Sequence, residues 1–282
     1  MESRKENAAQ HKNACARVAS QFRPPWLRSY VRNKLRSDRI YPAAYDLLGR
    51  SSEPILDVGC GVGLLGFYLR ERACAQPILG LDRDARKIDY GAAIAARGYR
   101  DVELRCHDVE TQLPDFRGNV ALFDVLHYLP PSRQAALLWH LAERVAPGGL
   151  LIIRDSLREM RPRYWITWLA EKFAQTISWN IDGALHFPSR ASIEAGFDDA
   201  EFERESRPLW GRSPFNNHIF IFRRSTVAGI GDPGLGKTSA QAGIIDPGCN
   251  QPVAAATVPV AAGRNGSLSR SIQSAPVPGI AD

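Results

Sequence analysis

A glycine-rich segment follows a short apolar run early in the chain. Residues 55–63 read Ile-Leu-Asp-Val-Gly-Cys-Gly-Val-Gly, and Leu64–Arg72 has the apolar spacing of a helix. Glycine lets the backbone approach a ligand closely, and the first turn of a helix offers N–H groups that lack an acceptor within the helix. The order of strand, glycine-rich turn and helix therefore predicts a binding site for a nucleotide-like molecule.

Two classes of ligand fit this turn. Gly61–Gly66 matches the pattern G-x-G-x-x-G, and Asp82 follows about 20 residues later, as in dinucleotide-binding proteins. Asp57 lies at the carboxyl end of the preceding strand, where a carboxylate repels a pyrophosphate but attracts a ligand with an amino group and a sulfonium. Asp57 thus favours a cationic ligand of this kind over a dinucleotide. A nicotinamide-dependent oxidoreductase is the alternative.

Strand-like and helix-like stretches alternate through the middle of the chain. The runs with the composition of strands are Pro54–Val58, Ile78–Leu81, Val102–Cys106, Val120–Phe123 and Leu150–Arg154. The stretches with helical spacing are Leu64–Arg72, Ala85–Arg97, Pro131–Val145 and, later, Ser189–Ala195. This alternation predicts a parallel sheet with helices on both faces.

At the end of this region strands no longer alternate with helices. Phe202–Leu209 and His218–Arg223 are β-rich runs with no room for a helix between them, which predicts an antiparallel hairpin at one sheet edge. The fold class expected is α/β: a Rossmann-like three-layer sandwich with a seven-stranded, mostly parallel sheet whose last strand is antiparallel.

The segment Leu56–Gly63 resembles the first motif, (D/E)-x-G-x-G-x-G, of the class I S-adenosylmethionine-dependent methyltransferases. The resemblance continues in order over residues 54–224. It implies that Asp82 takes the ribose hydroxyls, that Asp108 meets the adenine amino group and that Asp124 lies beside the methionine part of the cofactor. The cofactor-binding residues that it implies are Asp57, Gly59, Gly61, Gly63, Asp82, Arg83, Asp108, Val109 and Asp124. It implies S-adenosylmethionine as the cofactor and no metal.

Two residues are candidates for catalysis. Methyl transfer from a sulfonium is an in-line displacement, so a base is needed only where the acceptor must first lose a proton. His127 is the candidate base, because it follows the fourth strand on the cofactor side and titrates near neutrality. Asp155 follows the fifth predicted strand and is expected to face the crevice. A capping or core histidine is the other interpretation of His127.

The absence of two known motifs restricts the classes of methyl acceptor. Neither D-P-P-Y nor N-P-P-Y follows the fourth strand, which disfavours methylation of base amino groups, and no Pro-Cys pair indicates methylation of cytosine carbon. Pro208–His218 resembles bacterial methyltransferases that accompany fatty-acyl or aryl-lipid pathways. A small-molecule or lipid- or acyl-linked acceptor is expected. A non-catalytic cofactor-fold protein that acts with a partner is the second alternative.

Segments outside the sheet pattern are given separate roles. Residues 22–50 are expected to form an N-terminal lid, as in the family that the chain resembles. Residues 156–188 are rich in aromatic side chains and are predicted to wall an apolar substrate pocket. A packed helix hairpin is the plainer interpretation of this insertion. A third interpretation is peripheral membrane contact, because this insertion has Arg158, Arg161 and Arg163 beside Trp165 and Trp168.

The two ends of the chain have low-complexity composition. Residues 1–21 are polar and lack periodicity, so they are expected to be disordered. Residues 225–282 have no aromatic side chain, and 15 of these 58 are Gly or Pro, which predicts a disordered tail. Gly231–Thr238 matches G-x-x-x-x-G-K-[ST], but no later strand ends in a magnesium-binding Asp, so nucleotide hydrolysis is not expected. The methyltransferase domain is therefore placed at residues 22–224.

The amino-acid composition restricts the binding partners and the cellular compartment that we expect for this protein. The formal net charge of +6 comes from basic residues that are scattered along the chain, so nucleic acid is an unlikely partner. Five cysteines without a C-x-x-C pair fit a reducing compartment, and no signal peptide is expected from the polar start, which together favour the cytoplasm. No run approaches the roughly 18 apolar residues of a membrane span.

Overall fold

Strands and helices alternate over most of the chain in a computed structural model that describes residues 2–158, 165, 184–210 and 216–226. The strands are β1 (Ile55–Val58), β2 (Ile78–Asp82), β3 (Val102–Cys106), β4 (Asn119–Phe123), β5 (Leu150–Ser156), β6 (Phe202–Pro208) and β7 (Asn217–Arg224). The helices are α1 (Glu2–Ser20), α2 (Pro25–Ser37), α3 (Ile40–Leu48), α4 (Leu64–Glu71), α5 (Ala85–Gly98), α6 (Pro131–Arg144) and α7 (Arg190–Glu194), and a 3-10 turn spans Leu126–Tyr128.

All seven strands belong to one sheet in the order β3-β2-β1-β4-β5-β7-β6. The strands β1 to β5 are parallel, whereas β7 runs antiparallel to both of its neighbours, β5 and β6. The strand order reverses between β1 and β4, and open sheets of this kind bind ligands outside the carboxyl ends of the strands at such a point. The glycine-rich turn after β1 lies at this reversal.

The side chains of the strands alternate between two apolar clusters, one on each face of the sheet. One cluster joins Ile55 and Ile152 to buried residues of α1, α2, α3, α4 and α5. The other joins Leu151 and Ile153 to α6 and α7. The expected Rossmann-like three-layer sandwich, with its antiparallel last strand, is therefore confirmed, because each central strand is buried on both faces.

The prediction of a disordered start over residues 1–21 is wrong. Helix α1 buries Ala14, Cys15, Val18 and Ala19 completely, although none of these side chains is large. Small residues one turn apart let α1 approach its neighbours α2 and α4 closely. Polar contacts fix the position of α1, because Arg17 pairs with Glu71, His11 Nδ1 lies 2.8 Å from the Tyr68 hydroxyl, and Asn7 accepts from Arg72.

Two further boundaries lie near the crevice. The segment before β1 forms two helices, α2 and α3, which are divided at Asp38, whose backbone is extended (φ −87°, ψ 114°). Strand β5 continues beyond Arg154 to Ser156, because Asp155 and Ser156 pair with His218 and Asn217 of β7. Asp155 is consequently a residue of β5 with no exposed surface. Its place at the crevice stays a prediction.

Several expectations concern residues that the structure does not describe. Most of the 156–188 insertion and the tail after residue 226, including Gly231–Thr238, lie outside the described residues. Trp165 is helical, with 54% of its surface exposed. The lid role of residues 22–50 stays a prediction. Among the described residues, none of the helices has the length and apolarity needed to cross a membrane.

The packing of α1 can be tested with two aspartate variants of one helix. Val18→Asp places a charge at a fully buried position, so the free energy of unfolding should fall by about 2–4 kcal/mol. Ala16→Asp, at an exposed position of the same helix, should change it by less than about 0.5 kcal/mol. Urea unfolding measures both, and equal effects of the two variants would show that α1 does not pack on the domain.

Candidate active site

The turn between β1 and α4 has a backbone that depends on glycine. Gly59, Gly61 and Gly63 all have positive φ angles, of 77°, 58° and 81°. A Cβ atom at Gly59 would lie 2.2 Å from Cγ2 of Val125, so glycine is required there for space as well. At Gly61 a Cβ would meet no atom within 4 Å, which shows that this side of the turn is open to a ligand.

Asp82, the last residue of β2, ties this turn to the neighbouring strand end. Its Oδ2 accepts a hydrogen bond of 2.8 Å from the Gly61 N–H, and its Oδ1 accepts one of 2.9 Å from the Asp84 N–H. A carboxylate has about four acceptor sites, so two remain for a ligand. These remaining sites are suited to a pair of neighbouring hydroxyl groups, such as those of a ribose.

Asp57 lies beside this carboxylate and is 4% exposed. Burial, reinforced by the negative charge of Asp82, raises the pKa of Asp57 to about 7. None of the described residues donates a hydrogen bond to its carboxyl group. A buried carboxyl without a donor is stabilised in its ionised form by a cation, and so the chemistry of this end of the crevice fits a ligand with an amino group.

The remaining cofactor-binding candidates lie at the ends of β2 and β3. The Asp108 side chain accepts a hydrogen bond of 3.0 Å from the Glu110 N–H, which closes a turn after β3 and leaves the carboxylate partly exposed. Val109 packs against the apolar cluster on the α6 face. Arg83 is exposed, so the structure does not bring its side chain into the group formed by Asp57, Asp82 and the glycine turn.

Asp124 belongs to a network that the sequence did not indicate. It has a positive φ of 58°, which Asp tolerates better than most residues, and its Oδ2 lies 2.6 Å from Nη2 of Arg154. The same Nη2 lies 3.0 Å from Oδ2 of Asp38, and Nζ of Lys34 lies 3.7 Å from that oxygen. Two cations and two carboxylates thus join the end of α2 to the ends of β4 and β5.

Charge and burial act against each other in this network. Burial raises the pKa of Asp124 to about 6, even though Arg154 and Lys34 oppose the shift. Burial also opposes ionisation of Asp38, but the same two cations outweigh it and hold the pKa of Asp38 below its usual value. The one sign of this network in the sequence is Arg154, a charged residue directly after the apolar run Leu150–Ile153.

His127 and Asp155 form a buried pair on the opposite, α6 face of the sheet. Nδ1 of His127 lies 2.7 Å from Oδ1 of Asp155, with the two side chains 2% and 0% exposed. The imidazole ring stacks on Phe187 with the ring centroids 5.2 Å apart, and Gln134 holds the backbone around it. The structure therefore brings the two catalytic candidates together, and it makes Asp155 a partner of His127.

Further polar residues are buried next to this pair. Ser156 Oγ lies 2.7 Å from Oδ1 of Asn217, and the side-chain amide of Asn216 donates to the Leu157 carbonyl at 3.0 Å. His218 is 2% exposed and lies opposite Asp155 in the strand pairing. Sequence reasoning did not single out these residues. The signal was the run Asn216-Asn217-His218, an unusually polar start for a strand that is buried.

The pKa of Asp57 leads to a pH-dependent prediction. Because the free protein holds a proton on Asp57 up to about pH 7, a cationic ligand must displace that proton at lower pH. The affinity for S-adenosylhomocysteine, measured by titration calorimetry, should therefore rise about tenfold from pH 6 to pH 8.

Two variants isolate this effect. Asp57→Asn should bind weakly and lose the pH dependence, because it has no carboxylate to ionise. Asp89→Asn, at an exposed position of α5, should keep the wild-type profile. A wild-type affinity that is constant between these pH values would contradict the role given to Asp57.

Comparison with known proteins agrees with this geometry. Residues 27–229 match the family described as "Methyltransferase domain". Ribosomal protein L11 methyltransferase of Shewanella baltica is 33% identical over 141 residues, which are 50% of this chain and 44% of that protein. The aligned segment thus spans less than half the length of such relatives.

Solved structures show the same fold. Magnesium protoporphyrin IX methyltransferase from Synechocystis PCC 6803, solved with bound SAH, has a TM-score of 0.53 and 17% identity over 76% of this chain and 94% of that one. The [4+2]-cyclase SpnF has a TM-score of 0.51 and 15% identity over 67% of this chain and 82% of that one. With the family match covering most of the chain, the protein belongs to the methyltransferase domain family.

Proposed function

We propose that this protein transfers a methyl group from S-adenosylmethionine to a small-molecule or lipid-linked acceptor. The observation that carries the proposal is the buried carboxyl of Asp57, which accepts no hydrogen bond from the part of the chain that the structure describes and lies next to the glycine turn. A dinucleotide would bring a pyrophosphate to this turn, where Asp57 and Asp82 are both acidic. When bound, S-adenosylmethionine supplies a methyl group made electrophilic by the sulfonium.

Each cofactor-side residue has a separate task in this proposal. Asp57 attracts the amino group, and Asp82 binds the ribose hydroxyls with the acceptor sites that Gly61 and Asp84 leave over. Asp108 meets the adenine amino group at the end of β3. Asp124, held by Arg154, lies beside the methionine part.

The acceptor is proposed to lie at the carboxyl end of β5, next to the buried polar residues. Phe187 and Tyr128 flank His127 with aromatic surface, at ring-centroid distances of 5.2 Å and 4.1 Å. Asp155 accepts from Nδ1 of His127, which fixes the tautomer in which Nε2 carries the lone pair. His127 would then take a proton at Nε2 from a hydroxyl, thiol or ammonium acceptor.

The cofactor part of the proposal can be tested without knowing the acceptor. S-adenosylhomocysteine should bind with saturation in titration calorimetry, and NADH should not. Asp82→Ala removes a charge-assisted hydrogen bond to the ribose and the anchor of Gly61, so affinity should fall about 10- to 100-fold. Asp89→Ala, on the exposed side of α5, is the matched control. Saturable binding of NADH alone would replace this function with that of an oxidoreductase.

The base can be tested with a variant that keeps the buried pair satisfied. His127→Ala would leave Asp155 buried without its partner, which costs about 3–5 kcal/mol for a broken buried pair. His127→Asn can still donate to Asp155 but cannot accept a proton, so kcat should fall by roughly 10²–10⁴ with cofactor affinity unchanged. His140→Asn, at an exposed position of α6, should keep full activity. A kcat for His127→Asn within about threefold of wild type would make His127 a packing residue.

A further inference from the structure

The first two helices carry a strong excess of positive charge. From Glu2 to Ser37 the chain has nine Lys or Arg residues and two Glu, which are both in the first turns of α1. The whole chain is much closer to balance, with 36 basic and 30 acidic residues. The excess is therefore a local property of this surface, and it favours a negatively charged partner.

Helix α2 has four lengthwise rows of side chains, of which one, formed by Ser29, Asn33 and Ser37, is exposed and uncharged. Leu27, Val31 and Leu35 are buried against the domain. Arg28, Arg32 and Arg36, spaced at four-residue intervals, form an exposed basic row along one flank of that buried row. Among the described residues, no carboxylate lies within ion-pair distance of these three arginines, so their charge is available to a partner.

The other flank of α2 is aromatic. Trp26 is 63% exposed and Tyr30, one turn later, is 40% exposed. Trp and Tyr combine an apolar ring with a polar tip, which suits them to the boundary between water and hydrocarbon. A helix that presents aromatic rings on one flank and arginines on the other has the pattern of helices that lie in a lipid interface.

The aromatic row leads to the active site. Lys34 lies on the same flank, one turn beyond Tyr30, and its ammonium group contacts Asp38 in the network with Arg154 and Asp124. Eight residues of helix separate Trp26 from Lys34, which corresponds to about 12 Å. A surface that holds Trp26 is thus within about one acyl-chain length of the crevice.

We propose that α2 docks this protein on an anionic lipid bilayer, with Trp26 and Tyr30 in the interface and Arg28, Arg32 and Arg36 on the headgroups. Docking would place the crevice where it can take an acceptor from the bilayer, and only this consequence rests on the proposed function. Single-stranded nucleic acid fits less well, because its binding proteins place aromatic rings in a groove that follows the backbone, whereas α2 is a convex helix.

Cosedimentation of the full chain with vesicles tests the docking. The protein should bind vesicles of phosphatidylcholine with phosphatidylglycerol, bind phosphatidylcholine alone far less, and be released by high salt. Changing Arg28, Arg32 and Arg36 together to Gln should weaken binding about 100-fold. Changing Trp26 and Tyr30 together to Ser should weaken it about tenfold and abolish the blue shift of tryptophan fluorescence on vesicles.

Matched control variants show whether an effect depends on the position of the changed residues in α2 or only on their type. Changing Arg97, Arg100 and Arg133 together to Gln removes the same charge from exposed positions on other helices and loops, and Trp139→Ser removes an exposed tryptophan of α6. These controls should bind vesicles like wild type. Titration of the wild-type protein with S-adenosylhomocysteine in the absence of vesicles measures the cofactor site separately, so a failure of docking is distinguishable from a failure of the cofactor assignment.

Three results would overturn the proposal. The first is equal binding to neutral and anionic vesicles, and the second is an equal effect of the α2 variants and their controls. The third is that the protein prefers an RNA oligonucleotide to vesicles and that the three-arginine variant loses this RNA binding.

Discussion

The hydrogen bond from the Gly61 N–H to Asp82 fixes the glycine turn, the end of β2 and the start of α5 in one arrangement. Asp82 can hold both the turn and the Asp84 N–H because each of its two oxygens accepts one of these hydrogen bonds. The same arrangement places a second carboxyl, Asp57, in a buried position beside the first. The fold thus places two carboxyl groups side by side where an open sheet binds its ligand. Burying them as carboxylates costs free energy, and a bound cation offsets that cost.

This arrangement has a consequence for stability. The pKa of Asp57 is raised in the folded protein, so the folded state binds more protons than the unfolded chain between about pH 4 and pH 7. The contribution of Asp57 to stability therefore falls as pH rises through that range. A bound cationic cofactor reverses this loss, and it couples cofactor occupancy to the order of the turn. At the other end of the crevice, the ion pairs of Arg154 with Asp38 and Asp124 join α2 to β4 and β5.

The sequence predicted most of the fold because β1, β2, β4 and β5 contain apolar runs, with helical spacing between β1 and β2 and between β4 and β5. It failed where burial does not require large apolar residues: α1 packs through Ala14, Cys15, Val18 and Ala19, which a search for periodic large residues overlooks. It also ended β5 too early, because the pairing of Asp155 with β7 depends on residues more than sixty positions later. Contacts of this range, like Arg154 with Asp38, cannot be predicted from spacing along one chain.

The central claim is that the carboxylates at the ends of β1 and β2 bind S-adenosylmethionine through its amino group and ribose. A crystal structure of the protein with S-adenosylhomocysteine tests it most directly. The account predicts the ligand amino group within hydrogen-bond distance of Asp57 and both ribose hydroxyls on Asp82, with the backbone of the glycine turn unchanged. A ligand bound elsewhere, or one whose amino group has no contact with Asp57, would contradict it.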